Sequence, residues 1–284
     1  MKKTENLVNV AWLKEHLDAP DVVIVDASWH LPTEKRDPRA EYLEQHIPGA
    51  VFFDIEDISD SASNLPHMLP DNAKFSSKVR KLGIGDGQRI VIYDSVGMFS
   101  AARVWWMFRV MGADDVTLLD GGFPKWLEAE LPLDSGPVQR QERHFTARRN
   151  MLMVRDVDDI VEITGNRKTQ IVDARAAARF CGDAPEPRQG LRAGHIPGAR
   201  NVPFGTLLNE DRTLRSVDEL KSIFTSAGVD LSGSIVTSCG SGVTAAILSL
   251  ALEELGHRNA GLYDGSWTEW GSREDLAIEK GPAE

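Results

Sequence analysis

Two copies of one sequence pattern run through this chain of 284 residues. The pentapeptide His-Ile-Pro-Gly-Ala occurs at 46–50 and again, letter for letter, at 195–199. An apolar segment that ends in Asp-Ala precedes each copy, at 22–27 and at 170–174. Other matched segments follow in the same order, so the pattern marks a duplication. Two long copies predict paired domains rather than a solenoid of many short repeats.

Each copy alternates short apolar segments of strand length with longer helical stretches. This alternation predicts an α/β fold of two tandem domains, each a mainly parallel sheet flanked by helices. We expect a first domain over residues 1–135 and a second over 152–284. The segment 136–151 begins with Gly-Pro and is dominated by Gln, Arg and Glu, which is typical of an exposed linker.

A strand, a loop and a helix follow one another near the end of the second copy. Residues 235–237 are β-branched and predict a strand, and 244–255 predict a helix with an apolar face that ends at Gly256. The loop between them directs backbone N–H groups and the positive end of the helix dipole toward its centre. Cys239 lies there, in a setting that favours a thiolate. We therefore predict Cys239 as a nucleophile whose sulfur is open to solvent.

The corresponding loop of the first copy, residues 94–99, has Asp94 opposite Cys239. It contains no nucleophile and several large apolar side chains, which we expect to fill its centre. The helix after it is predicted over 100–111, with Gly112 as its stop. The first copy is therefore predicted to be non-catalytic.

The overall composition excludes several classes of partner. A net charge of −11 and a pI near 5.2 argue against binding to nucleic acid or to an anionic membrane. No apolar run reaches the roughly 20 residues that span a bilayer, and the first residues do not read as a signal peptide. With only two cysteines and no paired ligand spacing, we expect no disulfide framework, no metal and a cytoplasmic location.

The duplicated α/β unit, the paired pentapeptide and the loop 239–244 together resemble the tandem rhodanese-domain sulfurtransferases, over essentially the whole chain. The resemblance implies two rhodanese-like domains, the second of them catalytic. It implies that Cys239 takes sulfur from a small donor as a persulfide and passes it to an acceptor, without a cofactor. The acceptor is a small thiol, cyanide or a thioredoxin-like protein.

The residues after the cysteine bear on the donor. Members of the family that prefer thiosulfate carry cationic residues there, whereas this chain has Gly240 and Ser241. The resemblance therefore favours the mercaptopyruvate branch, with thiosulfate as the alternative donor. A non-catalytic sulfur-carrier module is a further alternative. A cysteine phosphatase would need an arginine six positions after the cysteine, where this chain has Ala245.

The resemblance assigns roles to the loop and to one histidine of the first copy. Backbone N–H groups of the loop cradle the persulfide, and Ser241 relays a proton, although a serine there could instead cap the helix. The cradle residues are Gly240, Ser241, Gly242, Val243 and Thr244. His46 matches the proton-relay histidine, with Asp37 as a candidate supporting acid. Because His195 has the same place in the other copy, the alternative for His46 is to stabilise the turn.

Two arginines match the family's loop for the substrate carboxylate, Arg179 and Arg188. A guanidinium can hold the planar carboxylate of an α-keto acid through two parallel hydrogen bonds, which lysine cannot do. The alternative is a solvated loop whose charges pair with each other. Cys181 lies close in sequence to Arg179, and we assign it no catalytic role; a redox role stays open.

Overall fold

The computed structural model describes residues 5–258 and 260–283 of the chain, which form two compact units. Unit 1 comprises the described chain up to Ser61, Leu69–Asn150 and Glu210–Leu214. Unit 2 comprises Ala62–Met68, Met151–Asn209 and the described chain from Arg215 onward. Each unit therefore includes a short segment that belongs by sequence to the other repeat, and the sequence pattern did not predict this.

Unit 1 is built on a five-stranded sheet in which all the neighbouring strands are parallel. The strand order is β1-β5-β4-β2-β3. The strands are β1 (Leu7–Val8), β2 (Val22–Asp26), β3 (Val51–Phe52), β4 (Arg89–Tyr93) and β5 (Val116–Leu119). The helices are α1 (Val10–Glu15), α2 (Pro38–Glu44), α3 (Ile55–Ile58), α4 (Asn72–Lys81), α5 (Ala101–Val110) and α6 (Gly122–Glu128).

Unit 2 repeats this topology with the strand order β6-β10-β9-β7-β8, again with parallel pairs. The strands are β6 (Val154–Arg155), β7 (Thr169–Asp173), β8 (Arg200–Asn201), β9 (Ser234–Ser238) and β10 (Gly261–Tyr263). The helices are α7 (Val157–Asn166), α8 (Ala177–Cys181), α9 (Val217–Ser226), α10 (Ala245–Glu254) and α11 (Ser266–Trp270). The predicted fold class, two α/β domains with mainly parallel sheets, is confirmed.

The two predicted helices that follow the paired loops are confirmed to within one residue at each end. Each helix ends two residues before the predicted glycine, which adopts a positive φ of 87° at Gly112 and 91° at Gly256. In α10 the N–H of His257 then donates to the carbonyl of Leu252, at 2.8 Å. Glycine adopts this left-handed conformation without a side-chain clash, which is why it ends the helix.

Helix α10 is buried on all sides rather than on one face, since nine of its ten residues are buried. It carries no lysine or arginine, and its composition of Ala, Ile and Leu suits a helix that packs inside a unit. Among the described residues, none of the helices is both long enough and apolar enough to span a membrane.

The predicted linker packs with unit 1 up to Asn150. Phe145 is only 2% exposed and contacts the rings of Phe75 and Phe108, with centroids 5.8 and 6.1 Å away. The N–H of Arg148 donates to the carbonyl of Met111 at 2.8 Å. One buried aromatic residue thus ties this largely exposed segment to unit 1.

Candidate active site

The loop that carries Cys239 lies at the carboxyl end of the central strand β9 in unit 2. Strand β9 ends at Ser238 and α10 begins at Ala245, so the loop has six residues, 239–244. Open parallel sheets bind their ligands at this end of the strands. Thr244 is the N-cap residue of α10, and Ser241 lies three positions before it. The structure therefore removes the alternative that Ser241 caps the helix.

The first two residues of the loop are held by the turn between β10 and α11. The N–H of Cys239 donates to the hydroxyl of Ser266 at 3.2 Å, and its carbonyl accepts from the N–H of Trp267 at 2.9 Å. The carbonyl of Gly240 accepts from Thr268 twice, from the backbone N–H at 2.9 Å and from the hydroxyl at 2.6 Å. These hydrogen bonds fix the position of the backbone at Cys239 and Gly240, where the loop begins.

Cys239 itself is only 1% exposed, which contradicts the expectation of an open sulfur. Its small side chain lies at the base of the loop, next in sequence to the buried strand β9, and Ser241 and Val243 of the same loop are also buried. Almost none of the residue is therefore in contact with solvent.

Arg179, from the short helix α8, lies against the loop at Gly240. A Cβ atom built on Gly240 would be 3.1 Å from the Nη2 atom of Arg179, so the glycine allows the guanidinium this close approach. The Nε and Nη2 atoms of Arg179 also pair with the carboxylate of Glu186. The Arg179 side chain is 25% exposed and is thus available to a ligand.

Glu186 belongs to a buried ion-pair network that the sequence analysis did not identify. Its carboxylate accepts from Nη1 of Arg175 at 2.7 Å, and Arg175 also pairs with Asp173 at 2.7 Å. The Arg175 guanidinium lies over the ring of Trp267, with 4.3 Å to the centroid. Arg175 and Arg179 therefore pair with acidic residues of the same segment, as in the alternative of a loop whose charges pair with each other. The ion pairs are buried, however, and not solvated.

Arg188 has a partner that the sequence analysis also missed. Its Nη2 atom lies 3.2 Å from the Nε2 atom of His67, within the segment 62–68 that packs in unit 2. Because arginine can only donate, this contact is a hydrogen bond in which the ring nitrogen accepts. One sequence signal points to this histidine. His67 lies outside the duplicated pentapeptide, so it is not tied to the role that the pentapeptide has in both copies.

His46 lies in unit 1 and is completely buried. Its ring stacks on Tyr42 at 4.2 Å, and Nδ1 bonds the Tyr42 carbonyl at 2.7 Å. His195 repeats the arrangement in unit 2, stacked on Phe180 at 3.7 Å with Nδ1 on the Phe180 carbonyl at 2.9 Å. The stacking on Tyr42 and the Nδ1 bond, repeated at His195, favour the turn-stabilising alternative for His46.

Asp37, the candidate supporting acid, also has a structural role. Its carboxylate accepts from the N–H groups of Arg39 and Ala40, at 3.0 Å each, and so caps the start of α2. An aspartate at this position satisfies N–H groups that have no partner within the helix.

The corresponding loop of unit 1 holds a carboxylate where unit 2 has its cysteine. Strand β4 ends at Tyr93 and α5 begins at Ala101, so this loop is one residue longer. The Asp94 carboxylate accepts from five backbone N–H groups at 2.7–2.9 Å, those of Val96, Gly97, Phe99, Ser100 and Ala101. The expected apolar filling is thus wrong. The loop is an anion cradle that its own aspartate occupies.

Among residues 5–258 and 260–283, no group of three or more His, Cys, Asp or Glu side chains is placed to hold a metal ion. Cys181 and Cys239 are both free thiols. The arrangement seen around the loop thus consists of Cys239, Arg179 and the buried partners of Arg179, and Arg188 lies beside His67 in the same unit.

Comparison with known proteins identifies the family. The sequence matches the rhodanese-like domain twice, at residues 9–129 and 156–273. The chain belongs to the rhodanese family. The two matches fall on the two repeats, and the second contains Arg179, Arg188 and the whole loop 239–244.

Among the relatives of this rhodanese-family chain, the 3-mercaptopyruvate sulfurtransferase of Escherichia coli K12 is 47% identical over 273 residues, covering 96% of this chain and 97% of the relative. The human 3-mercaptopyruvate sulfurtransferase is 44% identical over 282 residues, covering 96% and 95%. The crystal structure of the 3-mercaptopyruvate sulfotransferase SseA from Escherichia coli superposes with a TM-score of 0.86 at 44% identity. That match covers 93% of this chain and 99% of SseA.

Proposed function

We propose that this protein is a sulfurtransferase that moves the sulfur of 3-mercaptopyruvate to a thiol or cyanide acceptor through a persulfide on Cys239, releasing pyruvate. The observation that carries the proposal is the Arg179 guanidinium lying against Gly240, the residue after the cysteine. A cation for a substrate carboxylate and a nucleophile for its sulfur then lie in one site. The relatives named 3-mercaptopyruvate sulfurtransferase support the same donor.

Donor binding is assigned to Arg188 and Arg179. Glu186 and Asp173 pair with Arg175 and Arg179, and the Nη2 atom of Arg188 lies beside the neighbouring His67. A keto acid carboxylate that bonds both guanidinium groups would bring its C3 sulfur toward the cysteine. Two charge-assisted hydrogen bonds orient the donor as well as bind it.

Sulfur transfer then follows as a nucleophilic displacement at sulfur. The Cys239 thiolate attacks the donor sulfur, an S–S bond forms and the C–S bond of the donor breaks. The electron pair of the broken bond goes to the enolate of pyruvate, which takes up a proton at C3. We assign the assistance of this proton transfer to Ser241, the third residue of the loop. His67, through its contact with Arg188, replaces His46 as the histidine of the mechanism.

The persulfide that results is an anion, and the loop of residues 240–244 holds it by backbone N–H groups. Unit 1 supports this assignment, because the corresponding loop already binds a carboxylate through five such groups. Fixed N–H dipoles stabilise a buried negative charge without needing to reorganise. No cofactor is needed, since the sulfur stays covalently bound to Cys239 between the two half-reactions.

An acceptor takes the outer sulfur in the second half-reaction and restores the thiolate, which gives ping-pong kinetics. The acceptor is a small thiol, cyanide or a thioredoxin-like protein that presents a single thiol to Cys239. We place the protein in the cytoplasm, where reducing conditions keep Cys239 and Cys181 as thiols.

Turnover of 3-mercaptopyruvate and of thiosulfate, measured side by side, tests the proposed donor. We expect a higher kcat/KM for 3-mercaptopyruvate, because Gly240 and Ser241 offer thiosulfate no cationic side chain. Arg188→Ala should lower the value for 3-mercaptopyruvate by about 10²-fold, and Arg188→Lys should restore little, since lysine lacks the planar fork. A preference for thiosulfate, or an unchanged kcat/KM in Arg188→Ala, would refute the proposal.

A further inference from the structure

Ser266, the first residue of α11, adopts a backbone conformation that side chains rarely adopt. Its φ is +49°, in the left-handed region, and the residue is completely buried. A Cβ atom makes this region unfavourable, so a residue other than glycine persists there only when its surroundings hold it in place. Strained residues of this kind cluster at functional sites.

The hydroxyl of Ser266 joins the catalytic loop to the neighbouring strand. It accepts a hydrogen bond from the N–H of Cys239 at 3.2 Å and donates one to the carbonyl of Tyr263 at 2.7 Å. Tyr263 is the last residue of β10, which pairs directly with β9. Through one hydroxyl, the backbone of the cysteine is therefore tied to the end of the adjacent strand.

Unit 1 provides an internal control for this position. Its equivalent is Gly122, also at positive φ, +57°. The next residue, Phe123, donates its N–H to the Asp94 carbonyl at 3.0 Å, just as Trp267 donates to Cys239 at 2.9 Å. The turn thus forms with glycine, and its backbone bond to the loop does not require a serine.

The two units differ in what fills the space beside this turn. A Cβ atom on Gly122 would lie 2.7 Å from the carbonyl oxygens of both Asp94 and Gly97. In unit 2 the loop is one residue shorter, and a serine side chain occupies the equivalent place. The strained serine therefore occurs only in the unit that carries the cysteine, where its hydroxyl bonds the N–H of that cysteine.

We infer that Ser266 is a positioning residue for Cys239. Its hydroxyl fixes the backbone at the start of the loop, and so sets the direction from which the sulfur meets the donor. This inference rests on the proposed role of Cys239 as the nucleophile. Because the Ser266 hydroxyl bonds the backbone of Cys239 and of Tyr263, it should influence the sulfur-transfer step and leave the binding of the carboxylate unchanged.

Two variants separate positioning from a merely structural role. Ser266→Gly removes the hydroxyl and relieves the strain, whereas Ser266→Ala removes the hydroxyl and keeps the Cβ. We expect both to lower kcat for 3-mercaptopyruvate by about tenfold, the scale of one hydrogen bond, with KM changed less than about twofold. The Tm of Ser266→Gly should equal or exceed that of the wild type. Ser272→Ala, which removes an exposed hydroxyl just after α11, is the matched control and should change neither.

A second readout does not depend on turnover. In a Cys181→Ser background, the rate at which iodoacetamide alkylates Cys239 reports the position and state of that one thiol. We expect a rate several-fold different from the parent in both Ser266 variants and unchanged in Ser272→Ala. Parental kcat and alkylation rates in both Ser266 variants would overturn the inference. Absence of sulfur transfer in the wild type would instead count against the proposed function, and the alkylation rates would still decide the role of Ser266.

Discussion

Asp26 and Asp173 end the corresponding strands β2 and β7, but only Asp173 has an arginine as its partner. The Asp26 carboxylate instead accepts from the N–H of Ser28 at 2.9 Å. Burial is the main influence on Asp26 and raises its pKa from 3.8 to about 6, and the nearby Asp94 adds to this. A repeated aspartate can thus form an ion pair in one unit and carry a partly compensated cost of burial in the other.

The stability of the protein should depend on pH through Asp26. Its folded pKa lies above its unfolded pKa, so the folded state binds this proton more tightly and stability falls as pH rises from about 4 to about 6. Asp26→Asn mimics the protonated form and should be more stable than the wild type at pH 7.5, by at most about 3 kcal/mol. Urea unfolding of both proteins at pH 4 and 7.5 checks this, and an equal difference at both values would contradict it.

The role of a histidine in this protein also depends on the residues that surround it. His46 and His67 differ little in exposure, yet only His67 contacts a proposed substrate-binding residue. We expect His67→Asn to lower kcat/KM for 3-mercaptopyruvate by about 10²-fold. Asparagine tolerates the positive φ of 61° at this position, so the backbone should be preserved.

His46→Asn is the companion variant. It loses the stacking on Tyr42, so we expect a lower Tm with kcat/KM within about twofold of the wild type. Steady-state kinetics and thermal unfolding of both variants separate the two roles. A loss of kcat/KM in a well-folded His46→Asn protein would restore His46 to the mechanism.

At the scale of elements, the two strand–loop–helix segments share one framework and differ in what the loop binds. Sequence patterns predicted strands, helices and their stops well, because β-branched runs and glycine stops act locally. They did not predict that the amides of the first loop bind Asp94, since this depends on where the loop folds back in three dimensions. The buried Phe145 in a polar segment was missed for the same reason.

The bound carboxylate predicts a chemical rescue. Asp94→Ala leaves five N–H groups of the loop without their acceptor and should destabilise the protein by about 3 kcal/mol or more. Sulfate, which offers several acceptor oxygens, should raise the Tm of this variant more than that of the wild type. An equal effect of sulfate on both proteins would show that the emptied loop does not bind anions.

At the scale of the whole molecule, the duplication predicted two domains of the same topology, and this is confirmed by their equivalent strand orders. The segments 62–68 and 210–214 could not be assigned in this way, because each packs with the unit built mainly from the other repeat. His67 lies on the first of them, so the pattern within each repeat does not point to this residue, which we propose for the site. Cys239, Arg179 and Arg188 could be predicted because their signals lie in short segments of one repeat.

The mass of the intact protein after brief exposure to 3-mercaptopyruvate, with no acceptor present, tests the central claim most directly. We predict that the wild type and Cys181→Ser each gain one sulfur atom, that Cys239→Ser gains none, and that a thiol acceptor removes the added mass. A gain of sulfur in Cys239→Ser, or no gain in the wild type while pyruvate is released, would contradict a persulfide on Cys239.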